Sequence, residues 1–223
     1  MSDDAGRTIL KKLAGAAAGE TEPGPVLPPL PALSLNREEL ISLFTKNLAE
    51  QTGVVCRAAN AQGIKSHLAE IAAREQLKIL LTATDAVLAP LDLRAWGKTA
   101  GIEVLTAQDF PDRESYREAA FNRVQAGVTG ADWGVAESGT ICLLHDQDQP
   151  RLISIAPPVH IAVLPVERLV AVYEQVVQNV YADKNRLPSH FTFITGPSMT
   201  ADIQGGQFKG MHGPGQLIVI LVG

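Results

Sequence analysis

Between residues 127 and 140 the chain reads G-V-T-G-A-D-W-G-V-A-E-S-G-T, which sets Glu137 among four glycines, directly before the apolar run Ile141-Cys142-Leu143-Leu144. Glycine tolerates positive φ and close backbone approach, so a run of this kind can turn main-chain N–H groups toward a ligand. A carboxylate beside such donors stays ionised, which suits a nucleophile or base and not a general acid. Glu137 is therefore the candidate catalytic residue, with a ligand contact and a structural turn as the competing roles. Thr129, Gly130, Ser138, Gly139 and Thr140 are the candidate ligand contacts around it.

Two further glycine-rich segments carry polar side chains. The first, G-P-S-M-T-A-D-I at 196–203, supplies Gly196, Ser198, Thr200 and Asp202 directly after a strand-like run, the location where open α/β sheets bind ligands. Ser198 or Thr200 capping a helix is the structural alternative. The other, G-M-H-G-P-G at 210–215, supplies His212 and Gly213. All three segments adjoin strand-like runs, so a shared sheet edge predicts one anion-accepting pocket holding Glu137, Ser198, Thr200, Asp202 and His212. His160, flanked by Val159 and Ile161, reads as a core or edge residue, and His67, His145 and His190 read as surface. There is no G-x-S-x-G elbow and no P-loop lysine, which removes the corresponding hydrolase and nucleotidase readings.

The elements that must position these residues alternate between helix and strand. Asn36 with Glu39 reads as a capping box for a helix over 37–51, whose Leu40, Ile41, Phe44 and Leu48 form one apolar face. A strand at 53–57, a helix at 62–75, a strand at 79–81, a helix at 92–100, a strand at 103–105 and a helix at 114–125 follow, the last closed by Gly127 as a left-handed cap. Strands are then expected at 140–144, 151–155 and 159–164, with 146–150 as a hairpin connection between the first two. Pro165 is expected to start an amphipathic helix reaching Val180, and strands close the chain at 191–195 and 217–222. The last run is apolar throughout, as a strand buried on both faces must be.

With 223 residues, 46% of them hydrophobic, the chain suits one α/β domain and a tail. Residues 1–34 read as an arm: 8–19 can form a frayed helix, and the prolines after it stiffen the chain. Ile9, Leu10 and Leu13 then either dock on the domain or on a partner subunit, or the arm stays disordered. A net charge of −5 with no basic block argues against nucleic acid and anionic membrane. No apolar run reaches the ~18–20 residues of a membrane span, and the acidic start is wrong for a secretory leader, so the expectation is cytoplasmic. Cys56 and Cys142 are far apart and too few for a four-thiolate iron–sulfur cluster, so no cofactor is expected on this chain.

Taken together, 127–140, P-P-V-H-I-A-V-L-P at 157–165, 196–203 and 210–214 resemble the LUD-domain proteins, specifically the lactate utilization protein C group. The resemblance implies a LUD domain over 35–223 with an open, Rossmann-like mixed sheet similar to the sugar-phosphate isomerase and CoA transferase superfamily. It also implies a non-redox role in oxidising L-lactate to pyruvate, beside partner subunits that carry the iron–sulfur clusters. Glu137 is similar in placement to the glutamate that class I CoA transferases use against thioesters. That likeness keeps open a stand-alone transferase or isomerase acting on a CoA ester or phosphorylated metabolite. The sequence departs from the family pattern at Trp133, where a smaller aromatic is usual, and at Gln204-Gly205-Gly206.

Overall fold

The structure is a computed structural model describing residues 3–16, 35–182, 188, 190–201 and 207–223. In chain order the elements are α1 (Asp3–Ala16), α2 (Arg37–Glu50), β1 (Val54–Ala58), α3 (Ala61–Arg74), β2 (Ile79–Thr82), α4 (Leu93–Ala100), β3 (Glu103–Leu105) and α5 (Arg113–Asn122). Next come β4 (Ala126–Gly130), β5 (Trp133–Val135), β6 (Thr140–Leu144), α6 (Leu152–Ile155), β7 (Val159–Pro165) and β8 (Leu169–Val170). The last are α7 (Tyr173–Ala182), β9 (Phe191–Ile194), β10 (Met199–Ala201), β11 (Gln207–Lys209) and β12 (Gln216–Val222). Residues 1–32 and 33–223 are two compact units. In the first, α1 leaves Ile9, Leu10 and Leu13 exposed, and the proline-rich part of the expected arm lies outside the described residues. No helix among the described residues is long and apolar enough to cross a membrane.

The larger unit begins with both halves of the capping box: Glu39 N–H donates to Asn36 Oδ1 at 3.0 Å, and Asn36 N–H donates to Glu39 Oε2 at 2.7 Å. Its central sheet has six strands in the order β1-β12-β7-β4-β2-β3, every neighbouring pair parallel. The alternation of side chains along β12 explains its unbroken apolar run. Ile218 and Ile220 join the core shared with α3, α4 and α5, while Leu217, Val219 and Leu221 join the core shared with α2. The second core also takes Ala131, Ala136, Ile141 and Leu143 from around a smaller, four-stranded sheet ordered β8-β5-β6-β9. That sheet mixes antiparallel and parallel pairs, and Val135 and Cys142 pack from it against Val176 and Val180 of α7. The result is a mixed α/β fold around a mainly parallel sheet.

Four local expectations fail, each for a packing reason. α5 ends at Asn122 with Arg123 as its cap, and Gly127 lies inside β4, all five of whose residues are buried. A Cβ on Gly127 would sit 1.8 Å from the Ile153 carbonyl oxygen, and one on Gly134 would sit 2.5 Å from Leu164 Cδ2. Most of this glycine run therefore serves close contact between layers, and only Gly139, at φ 64°, takes the left-handed conformation. Residues 152–155 form the helical turn α6 in place of a strand, so 146–150 is no hairpin; Asp146 Oδ1 accepts the N–H groups of Asp148 and Gln149 there. Nor does a helix start at Pro165: after a 3-10 turn, Leu169–Val170 pairs with β5, and the helix begins only at Tyr173. Of the β-branched residues between, Val170 is held in the sheet. His145, expected at the surface, is 8% exposed.

Because the α6 carbonyl blocks any side chain at position 127, Gly127→Ala is expected to cost at least about 3 kcal/mol of stability. Denaturant unfolding checks this, and a loss below about 1 kcal/mol would show that α6 can move aside.

Candidate functional site

The second and third glycine segments meet. Ser198 N–H donates to Pro214 O at 2.8 Å, Gly210 N–H to Ser198 O at 2.9 Å, and Gly215 N–H to Pro158 O at 2.8 Å. Gly196, at φ 89°, carries the chain past Gln51, whose carbonyl oxygen is 2.7 Å from where a Cβ would be. This zipping borders an open cavity of about 330 Å³. Its polar wall is Ser154, His160, Thr195, Ser198 and His212, with Gly196 and Gly213 between them and Phe193 and Leu217 among the apolar lining. It lies at the amino ends of β7 and β12, because β9, which leads into it, belongs to the smaller sheet.

His160 is the buried group of this cavity. At 1% exposure, it has Nε2 2.9 Å from Thr129 Oγ1 and Nδ1 without a partner among the described residues. Burial, with a smaller contribution from His145, pushes its pKa down to about 3, so the imidazole is neutral at physiological pH. Thr129 thus reaches the cavity through His160.

The first segment touches the same cavity only by its hydroxyls. Ser138 Oγ lies 2.8 Å from Thr140 Oγ1, which lies 2.5 Å from Thr195 Oγ1 in the cavity wall. Glu137 is not among the lining residues. It is exposed, and its Oε1 accepts the Tyr173 N–H at 2.9 Å, a carboxylate at the N-terminus of α7 where the helix dipole favours it. Asn47 Nδ2 fixes the turn from behind by donating to the carbonyls of Ala136 and Glu137, each at 2.8 Å, and Gly139 packs against Leu48. Thr200 lies in β10 opposite Phe208 of β11, and Asp202 lies outside the described residues.

Gly130 belongs to a different place. The chain leaves β2 toward β3 on one side and leaves β4 toward β7 on the other, so the order of connection reverses between the parallel strands β2 and β4. Open α/β sheets form a crevice at the carboxyl ends of such a strand pair. A cavity of about 870 Å³ lies there, with Asp85, Gly130, Asp132, His145, Gln149 and Arg168 in its wall. Asp85 accepts the N–H groups of Val87 and Leu88 on Oδ1 and that of Gly130 on Oδ2, and a Cβ on Gly130 would collide with this carboxylate. Asp132 Oδ2 accepts Leu144 N–H at 2.7 Å, and burial raises the pKa of this carboxyl. Arg168 donates to Ala131 O at 3.1 Å. Burial lowers the pKa of His145, which bridges Gln149 O and Thr192 Oγ1. Of these residues the sequence marked only Gly130 as a candidate ligand contact. Asp132, a carboxylate two residues past a buried strand end, was the available signal.

A family model described as the LUD domain matches residues 41–222. A lactate utilization protein C from Halalkalibacterium halodurans is 37% identical over 54% of this chain and 53% of its own, so the match spans about half of that relative. Another, from Deinococcus radiodurans, is 29% identical over 97% of this chain and 92% of its own. The crystal structure of a DUF162 family protein from Deinococcus radiodurans has the same fold, with a TM-score of 0.63 at 24% identity over 85% of this chain and 99% of the other.

Two measurements follow from this geometry. Glu137→Ala removes the α7 cap and is expected to lower Tm by about 2–4 °C for a loss of about 1 kcal/mol; an unchanged Tm in calorimetry would show that the cap contributes nothing. His160, and in the same direction His145, bind fewer protons folded than unfolded. Stability is therefore fully present above the ordinary histidine pKa and falls as pH drops from about 6.5 toward the folded values, by about 1.4 kcal/mol per pH unit for each such proton. The raised pKa of Asp132 acts in the opposite direction, because the folded protein holds that proton more tightly than the unfolded chain. Urea unfolding at pH 7, 6 and 5 reads the slope, and a flat profile would contradict the buried neutral imidazole.

Proposed function

The chain belongs to the LUD-domain family, and from that premise we propose that it is a non-redox component of a system oxidising L-lactate to pyruvate, binding a small anion in the cavity of His160, Ser198 and His212. The family match over 41–222 and the relatives called lactate utilization protein C support the role. The charge of the cavity wall carries the ligand. Among the described residues that line it none is a carboxylate, whereas hydroxyls and imidazoles recur around it. Hydroxyl and ring N–H donors without a competing anion are what a carboxylate or phosphate requires.

Electron transfer is assigned in this proposal to iron–sulfur partner subunits. Burial pushes the Cys142 thiol up to about 12 and raises Cys56 as well, so neither is a thiolate at neutral pH, the form that ligates iron. The two cysteines also lie in different sheets.

Calorimetric titration with L-lactate, pyruvate and inorganic phosphate tests the ligand. At least one is expected to saturate the protein, and the double substitution Ser198→Ala, His212→Ala is expected to weaken it about tenfold or more while Tm stays put. Equal affinity in the folded double variant would remove the cavity from the proposal. For the role itself, loss of the gene is expected to abolish growth of the source organism on L-lactate, and normal growth would overturn it.

A further inference from the structure

We propose that the cavity at the carboxyl ends of β2 and β4 is a second binding site, taking the hydroxylated ring of a sugar, with Trp133 against its C–H face and Asp132, Gln149 and Arg168 on its hydroxyls. It lies at the opposite end of the central sheet from the anion cavity, so its fate is independent of that reading.

The first observation is an orphaned acceptor. Gln149 is 3% exposed and lines this cavity. Its Nε2 donates to Asp132 Oδ2 at 3.2 Å and to Leu144 O at 3.1 Å, both acceptors, so the amide can be oriented only one way. That leaves Oε1 buried with no partner among the described residues. A buried acceptor left unpaired costs about 1–3 kcal/mol, a deficit that a ligand donor would remove.

Charge selects the class of donor. Among the described residues that line the cavity four are carboxylates, Asp85, Asp132, Asp146 and Asp148, and one is a guanidinium, Arg168. His145, its pKa lowered by burial, adds no positive charge at neutral pH. A simple anion is repelled by this excess, and an ammonium group, although the carboxylates attract it, has donors only and offers the Arg168 N–H groups no acceptor. A hydroxyl both donates and accepts, so it satisfies Gln149 Oε1 and Asp132 on one side and the Arg168 N–H groups on the other. Asp85 is already engaged by three backbone N–H groups and serves as framework.

Trp133 supplies the remaining element. It is half-buried and lies in the wall of this cavity. An indole offers a flat apolar face at small conformational cost, to which the C–H face of a sugar ring is complementary. The volume of about 870 Å³ admits a ring with substituents, well beyond a three-carbon acid.

Saturation-transfer NMR and calorimetry with D-ribose, D-glucose, adenosine and cytidine, and inorganic phosphate as control, test the site on the full chain. At least one sugar-bearing compound is expected to bind saturably. Trp133→Ala and Gln149→Leu are each expected to weaken it about tenfold or more, with the Ser198→Ala, His212→Ala variant unchanged. Binding of nucleosides alone assigns the ring to a nucleoside, and binding of monosaccharides alone assigns it to a free sugar. Should Gln149→Leu unfold the chain, Trp133→Ala and Arg168→Met report in its place. No binding by any of the four compounds, or full affinity in folded Trp133→Ala and Arg168→Met proteins, overturns the proposal.

Discussion

The structure depends on one strand being buried on both faces. β12 pairs with β1 through Val54↔Ile218 and with β7 through Gln216↔Val159, and its side chains divide between the two cores. Every backbone N–H and C=O of such a strand needs a ladder partner, and every side chain an apolar neighbour. The segment leading into it is constrained in consequence. Gly210 to Gly215 must deliver the chain to the amino end of the sheet, and there its carbonyl at Pro214 and amides at Gly210 and Gly215 bind 196–198 and Pro158. The smaller cavity is thus a product of how β12 enters the sheet. Its polar residues come from loops that the core has already fixed.

Much of this was legible in the sequence where local chemistry and tertiary packing agree. Asn36 and Glu39 announce a helix start, and the structure forms both halves of the box. The run 217–222 announces a doubly buried strand. Legibility fails where packing overrides local preference. Glycine weakens a strand, so A-G-V-T-G read as punctuation, yet β4 needs glycine because the α6 backbone presses against position 127. The periodic apolar face from Val166 to Val180 suited a helix, but Gly134 and Val135 offer strand pairing to Leu169 and Val170, and Ala136 and Glu137 donate N–H groups to Val170 and Ala171. No window of sequence around 165 contains that partner. His145 was misread for the same reason, since Thr192 and Gln149, the groups that satisfy its ring, come from another strand and from the next turn.

The two ends of the central sheet differ in electrostatic character, and that difference follows from chain connection. At the carboxyl ends of β2 and β4 the connections part in opposite directions, opening a crevice into which Asp85 and Asp132 project as caps and turn residues. At the amino ends of β7 and β12 the chains are glycine- and proline-rich, and the described residues they bring to the cavity wall are serine, threonine and histidine with no carboxylate. Among the described lining residues one cavity is thus rich in carboxylates and the other has none, so the two present opposite surroundings to a charged group.

His160 ties the cavity at the amino ends of β7 and β12 to the middle of the sheet. Its neighbours in register are Gly127 on β4 and Leu217 on β12, so the ring stands on the strand flanked by both of the segments that define this fold. A neutral imidazole carries one proton, and Thr129 has one hydroxyl hydrogen to place. If an anion meets Nδ1, that nitrogen must hold the proton, and the Thr129 hydroxyl must then turn to donate to Nε2. If a donor meets Nδ1, both hydrogens reverse. The depressed pKa excludes the third state, in which both nitrogens carry protons, at any pH where the protein is expected to work. The Thr129–His160 pair thus has two neutral proton arrangements, which differ in whether Nδ1 donates or accepts.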